Sequence, residues 1–90
     1  MSVPEFDPNA GGPGYLYLKL ADFLAELIEA QHLKPNSRLP GERDFAEQYD
    51  VSIGTVRRAT DELRERKLVV TLPAKGNFIA PLEQQHRNRT

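Results

Sequence analysis

The sequence predicts a single small α+β domain, mainly α, with three helices, a short extended piece between the first two, and a C-terminal β-hairpin. Three observations predict it. Ninety residues, 39% of them hydrophobic, suffice for one modest core and no second domain. Leu16, Leu20, Phe23, Leu24, Leu27 and Ile28 recur at steps of three and four, the spacing of one helical face. After Lys67 the pattern changes to β-rich runs separated by a tight turn.

Residues 1–14 contain Pro4, Pro8, Pro13, Gly11, Gly12 and Gly14, and read as a flexible arm. The first helix is expected over about residues 15–31. Lys34-Pro35-Asn36-Ser37 ends it, because proline disfavours helical geometry in the residue before it. Arg38-Leu39-Pro40 is a short extended piece. Gly41 then serves as a weak N-cap, without a side-chain oxygen, for a second helix over about 42–49 with Phe45, Ala46 and Tyr49 inward. Glu42 and Asp44 in its first turn favour the positive end of the helix dipole. After a break at Asp50-Val51-Ser52, Ser52 caps a third helix over about 53–67, with Val56, Ala59, Leu63 and Thr60 facing the core. Leu68–Leu72 and Asn77–Ala80 are two short strands, and Pro73-Ala74-Lys75-Gly76 is the turn that pairs them. Residues 81–90 are polar, show no periodicity, and read as a frayed tail.

Composition excludes several classes of activity. There is no cysteine, so disulfides, thiol nucleophiles and thiolate metal sites are absent, and His32 and His86 form no ligand cluster. No metal or other cofactor is expected. Asp61 and Glu62 are neighbours on a helix and point in different directions, and no glycine-rich phosphate loop is present, so no catalytic residue is assigned. No apolar run approaches the roughly 18 residues of a membrane span, and no signal peptide is recognisable; a cytoplasmic protein without membrane partners is expected. The net charge of −1 argues against bulk attraction to a polyanion. Its distribution is uneven: residues 52–76 hold Arg57, Arg58, Arg64, Arg66, Lys67 and Lys75 against three acidic residues, whereas residues 1–33 hold five acidic residues and Lys19. A polyanion would therefore meet a local basic patch.

Helix, short strand, helix, turn, helix and hairpin in that order are the layout of a winged helix-turn-helix. The residues also resemble a family. Leu39-Pro40-Gly41-Glu42-Arg43-Asp44-Phe45-Ala46, then Val51-Ser52-Ile53-Gly54-Thr55-Val56-Arg57-Arg58-Ala59, then Leu63 and Leu68-Val69, then Gly76-Asn77-Phe78-Ile79-Ala80, are similar to the DNA-binding domain of GntR-type bacterial transcription regulators. In that family the stretches read approximately L-P-S-E-R-x-L-A, V-S-R-x-T-V-R-x-A and G-x-G-T-F-V. The resemblance covers roughly residues 15–80, the expected DNA-binding domain, and implies sequence-specific binding of double-stranded DNA in or near the bacterial nucleoid.

On that reading the first turn of the third helix enters the major groove, where base edges are distinguishable. Ser52 and Thr55 offer hydroxyl donors, and Gly54 removes a side chain where backbone must approach DNA; the plain alternative is a cap, a tolerated glycine and a surface threonine. Arg57 reaches a phosphate or guanine edge, and Arg58 touches the flanking backbone, against the alternative of two solvated arginines. Arg43 matches a family arginine that contacts DNA; otherwise it pairs with Glu42, Asp44 or Glu47. Arg38 joins the DNA-contacting set, and Lys75-Gly76 at the hairpin tip form a cationic wing for the minor groove or its phosphates, the alternative being a plain turn lysine.

The departures from the family also carry expectations. Ile53 stands where an arginine is common, which replaces a guanine contact with packing on a thymine methyl. Gly41 replaces a serine, and Ala74 and Asn77 replace a wing glycine and a threonine. Only ten polar residues follow Ala80, so no small-molecule effector site is expected: the chain is either a minimal regulator or one that borrows dimerisation and sensing from a partner protein. One module buries only about 600–1,000 Å² on DNA, so a weak or DNA-induced homodimer is expected through the first helix or the arm. The competing reading is a winged-helix adaptor that binds protein, for which an exposed apolar face is expected instead of a basic one.

Overall fold

The computed structural model describes Phe6 and residues 15–89, with side chains to Gln85. Helix α1 (Leu16–Glu29) buries Leu20, Ala21, Leu24, Leu27 and Ile28, the residues its three-and-four periodicity selects. It stops where Gln31 takes a left-handed φ of 60°, while the amides of Ala30 and His32 turn back to the carbonyls of Glu26 and Leu27. Helix α2 (Glu42–Tyr49) buries Phe45 and Ala46, begins at Gly41 with no side-chain cap, and ends at Asp50 in the left-handed region (φ 55°). Aspartate tolerates that conformation better than most side chains. It turns the chain so that Val51 N–H reaches the Ala46 carbonyl at 3.0 Å, and α3 follows almost at once.

Helix α3 (Ile53–Glu65) is capped by Ser52, whose Oγ accepts from the Thr55 N–H at 3.0 Å, and it buries Val56, Ala59, Thr60 and Leu63. Thr60 satisfies its hydroxyl internally by donating to the Val56 carbonyl at 2.8 Å. The helix ends two residues before the sequence suggests, because Lys67 turns left-handed (φ 64°) and starts the wing. Strands β1 (Val69–Leu72) and β2 (Gly76–Ile79) pair antiparallel, Val69 opposite Ile79 and Leu72 opposite Gly76. The extended piece before α2 is tied to the same sheet. Arg38 bridges Phe78, Leu39 N–H donates to the Asn77 carbonyl, and Ile79 N–H donates to the Ser37 carbonyl, each at 2.8 Å.

The core lies between α1 and α3 and is closed by the wing; Leu20, Leu24, Ile28, Val56, Leu63, Val69 and Ile79 are its largest fully buried side chains. Truncating one of the leucines to alanine is expected to cost about 2–5 kcal/mol.

Two regions differ from the sequence reading. Residues 82–89 form helix α4 (Leu82–Arg89) where a frayed tail is expected. The Pro81 carbonyl accepts from the amides of Gln84 and Gln85, and Leu82-Glu83-Gln84-Gln85 are all good helix formers. Gln85 is only 3% exposed and donates to the Ala80 carbonyl at 2.8 Å, and Gln84 reaches the Lys67 carbonyl at 3.2 Å. Polar docking rather than an apolar stripe holds this helix, which is why periodicity misses it. Within the expected N-terminal arm, residues 1–5 and 7–14 lie outside the described residues, but Phe6 is described and is partly buried. Its ring lies 5.4 Å from Phe23 and 6.0 Å from Tyr49, joining α1 to the end of α2.

Candidate nucleic-acid interface

Short α2, the Asp50 turn and capped α3 place the N-terminal turns of α3 on the surface. Ile53 is 36% exposed, large for an aliphatic side chain. At about 100° per residue, the buried stripe of Val56, Ala59, Thr60 and Leu63 leaves Gly54, Arg57, Arg58 and Asp61 on the opposite face. A Cβ at Gly54 would meet only Ser52 Oγ, at 3.8 Å, so packing within the chain does not require glycine there. Ser52 is committed to capping: besides accepting from the Thr55 amide, its hydroxyl donates to Thr55 Oγ1 at 3.0 Å.

The two arginines of this face have different surroundings. Arg57 Nε donates to both carboxylate oxygens of Glu42, at 3.1 and 3.0 Å, which ties α3 to the first turn of α2. That hydrogen bond, followed by the Glu42 charge, raises the Arg57 pKa above its ordinary value, so the guanidinium stays charged. The pair is nonetheless open to water, with 66% of the Arg57 side chain exposed. Arg58 turns the other way and sets its Cζ 4.2 Å from the centroid of the Tyr17 ring on α1. Arg43 is exposed and has no ion pair among the described residues, so Glu42 pairs with Arg57 rather than with its sequence neighbour.

At the wing, Ala74 takes a left-handed φ of 64° in the Pro73–Lys75 turn, and Lys75 is exposed. Gly76 has φ 119°, and a Cβ on it would stand 3.1 Å from Arg38 Nε. The backbone conformation favours glycine here, and its missing side chain leaves room for Arg38 to lie against the root of the wing. Asn77 accepts from Thr71 Oγ1 at 2.6 Å, and Arg64 donates to the same Thr71 hydroxyl, so a chain of polar contacts fastens the wing to α3.

The basic stretch therefore divides. Arg64 pairs with Asp61, and Arg66 bridges Glu62 at 2.9 Å and Asp22 of α1 at 2.8 Å. These two arginines serve the fold, and part of the acidity of α1 is consumed by one of them. Arg58, Lys67 and Lys75 have no carboxylate partner among the described residues. Neither Glu42 as the partner of Arg57 nor Tyr17 as the support of Arg58 is marked in the sequence. Both contacts join positions far apart in the chain, and no local pattern marks them.

Residues 16–79 match the family model described as bacterial regulatory proteins, gntR family. The chain belongs to this family. It is 32% identical over 71 residues to the HTH-type transcriptional regulator SmoD of Agrobacterium fabrum, covering 79% of this chain and 30% of that protein. Among solved structures, a transcriptional regulator from Oenococcus oeni superposes with a TM-score of 0.77 at 30% identity, over 88% of this chain and 68% of that one. The DNA-binding domain of AraR, solved in complex with operator ORR3, shares the fold, with a TM-score of 0.67 at 24% identity over 86% and 95% of the two chains. This GntR-family chain spans between 14% and 30% of the length of the curated relatives it matches. No helix among its described residues is long and apolar enough to cross a membrane.

Proposed function

We propose that this GntR-family chain binds double-stranded DNA sequence-specifically and regulates transcription, with the N-terminal half of α3 in the major groove and the wing at the minor groove. The observation that carries the reading is the composition of one face: Gly54 without an internal steric need, exposed Ile53, and two charged arginines beside a capped helix N-terminus. A helix start presents free backbone amides to an anion, and glycine lets a backbone phosphate or base edge come close.

In this scheme Arg57 exchanges part of its Glu42 contact for a phosphate or guanine edge, and Ile53 packs on a thymine methyl. Thr55 adds a hydroxyl contact while Ser52 holds the turn that presents it, and Arg43 and Arg58 hold the backbone on either side of the helix. Lys75 enters the minor groove or its phosphates at the wing tip, where Gly76 and Arg38 fix the approach. Two copies read two half-sites, since one module buries too little surface for high specificity.

The test is selection of bound sequences from a random duplex pool, followed by titration of the selected site at several salt concentrations. A recurrent half-site, and affinity that falls steeply with salt, are expected. No binding at low salt defeats the proposal.

A further inference from the structure

Arg57 and Arg58 are adjacent, exposed and charged, yet α3 holds them by opposite means. Arg57 is gripped by a carboxylate, which sets a negative charge against it as it orients it. The carboxylates one turn beyond Arg58 are engaged elsewhere: Asp61 with Arg64, and Glu62 with Arg66. What lies against the Arg58 guanidinium is the Tyr17 ring, at 4.2 Å, in an open hollow that Asp61, Glu62 and Glu65 also line without pairing with it. An aromatic face orients a cation and leaves its charge in place. Arg58 also stands one helical turn after Gly54, whose missing side chain leaves open the surface that a residue pointing towards the helix start covers.

We infer that Tyr17 is a positioning residue for DNA binding: its ring holds the Arg58 guanidinium, with no carboxylate partner among the described residues, ready for a backbone phosphate of duplex DNA beside the open first turns of α3. The inference rests on the DNA-binding reading above and adds a residue from α1, outside the helix-turn-helix. It assigns the two arginines different work. Contact through Arg58 is independent of sequence and already oriented, whereas Arg57 engages only by loosening Glu42.

The experiment is a set of anisotropy titrations of the full chain on a selected duplex site, at four salt concentrations. It compares the wild type, Arg58→Gln, Tyr17→Phe, Tyr17→Leu and the Tyr17→Leu/Arg58→Gln double variant, each at a temperature where circular dichroism shows it folded. Arg58→Gln is expected to reduce the slope of log affinity against log salt by about 0.9, the loss of one phosphate contact. Tyr17→Leu should lose part of that slope and about two- to fivefold in affinity, and Tyr17→Phe, which keeps the ring, should match the wild type. In the double variant, Tyr17→Leu should add nothing to Arg58→Gln. Tyr17→Met serves the same comparison should Tyr17→Leu not fold. An unchanged slope in Tyr17→Leu, a Tyr17→Phe variant as weak as Tyr17→Leu, or additive losses would each overturn the inference. Failure of the wild type to bind at low salt overturns the DNA reading and this inference together; wild-type binding indifferent to Tyr17 overturns this inference alone.

Discussion

The two ends of α3 are built on the same scaffold and spend their charges differently. In the C-terminal half every arginine is engaged inside the molecule, Arg64 with Asp61 and Thr71, and Arg66 with Glu62 and Asp22. In the N-terminal half Gly54 touches little, Ile53 is uncovered, Arg58 rests on a ring, and the Arg57 pair lies in water. The comparison teaches that a basic stretch has to be sorted by partner before it is read as a patch. Arg64 and Arg66 are held within the fold, Arg57 shares an exposed carboxylate, and Arg58, Lys67 and Lys75 have no carboxylate partner among the described residues.

Substitutions at the two ends should therefore separate binding from stability. The largest effect is expected from Arg57→Ala, which on the proposed reading lowers affinity for the selected duplex by about 1–3 kcal/mol if a base edge is contacted. An exposed ion pair contributes little to folding, so its melting temperature should hardly move. A melting loss as large as the binding loss would erase the distinction. Gly54→Ala should move the two measurements in opposite directions. It removes a helix glycine where a methyl group meets no obstruction, worth up to about 1 kcal/mol of added stability, while crowding the turn proposed to enter the major groove. Denaturant unfolding alongside a DNA titration checks both signs. At the other end, Arg66→Ala breaks the contacts to Glu62 and Asp22 and should lower stability by about 0.5–1 kcal/mol, with DNA affinity unchanged below the melting range. The smallest effect sharpens the comparison with α2: Gly41→Ser supplies its missing side-chain cap and should gain a few tenths of a kcal/mol in denaturant unfolding.

Much of this was legible in the sequence because it is local. The inward positions of α2 and α3, from Phe45 to Leu63, follow from helical spacing, and the start of α3 from Ser52. The hairpin follows from a turn between two β-rich runs, and its two strands pair as expected. Helix α4 was not legible, since amphipathicity is the signal sought and its buried side chain is a glutamine. The electrostatic division within α3 was not legible either. Asp22 and Arg66 are 44 positions apart, and Glu42 and Arg57 are 15 apart; only the folded chain decides which charges meet.

The seat of Phe6 has a practical consequence. Family similarity begins at Leu16, but the hydrophobic packing begins with a ring ten positions earlier, lodged between Phe23 and Tyr49. A fragment trimmed to the homologous segment would uncover two aromatic faces at the junction of α1 and α2. Recombinant versions meant for crystallisation or binding work should therefore start ahead of Phe6.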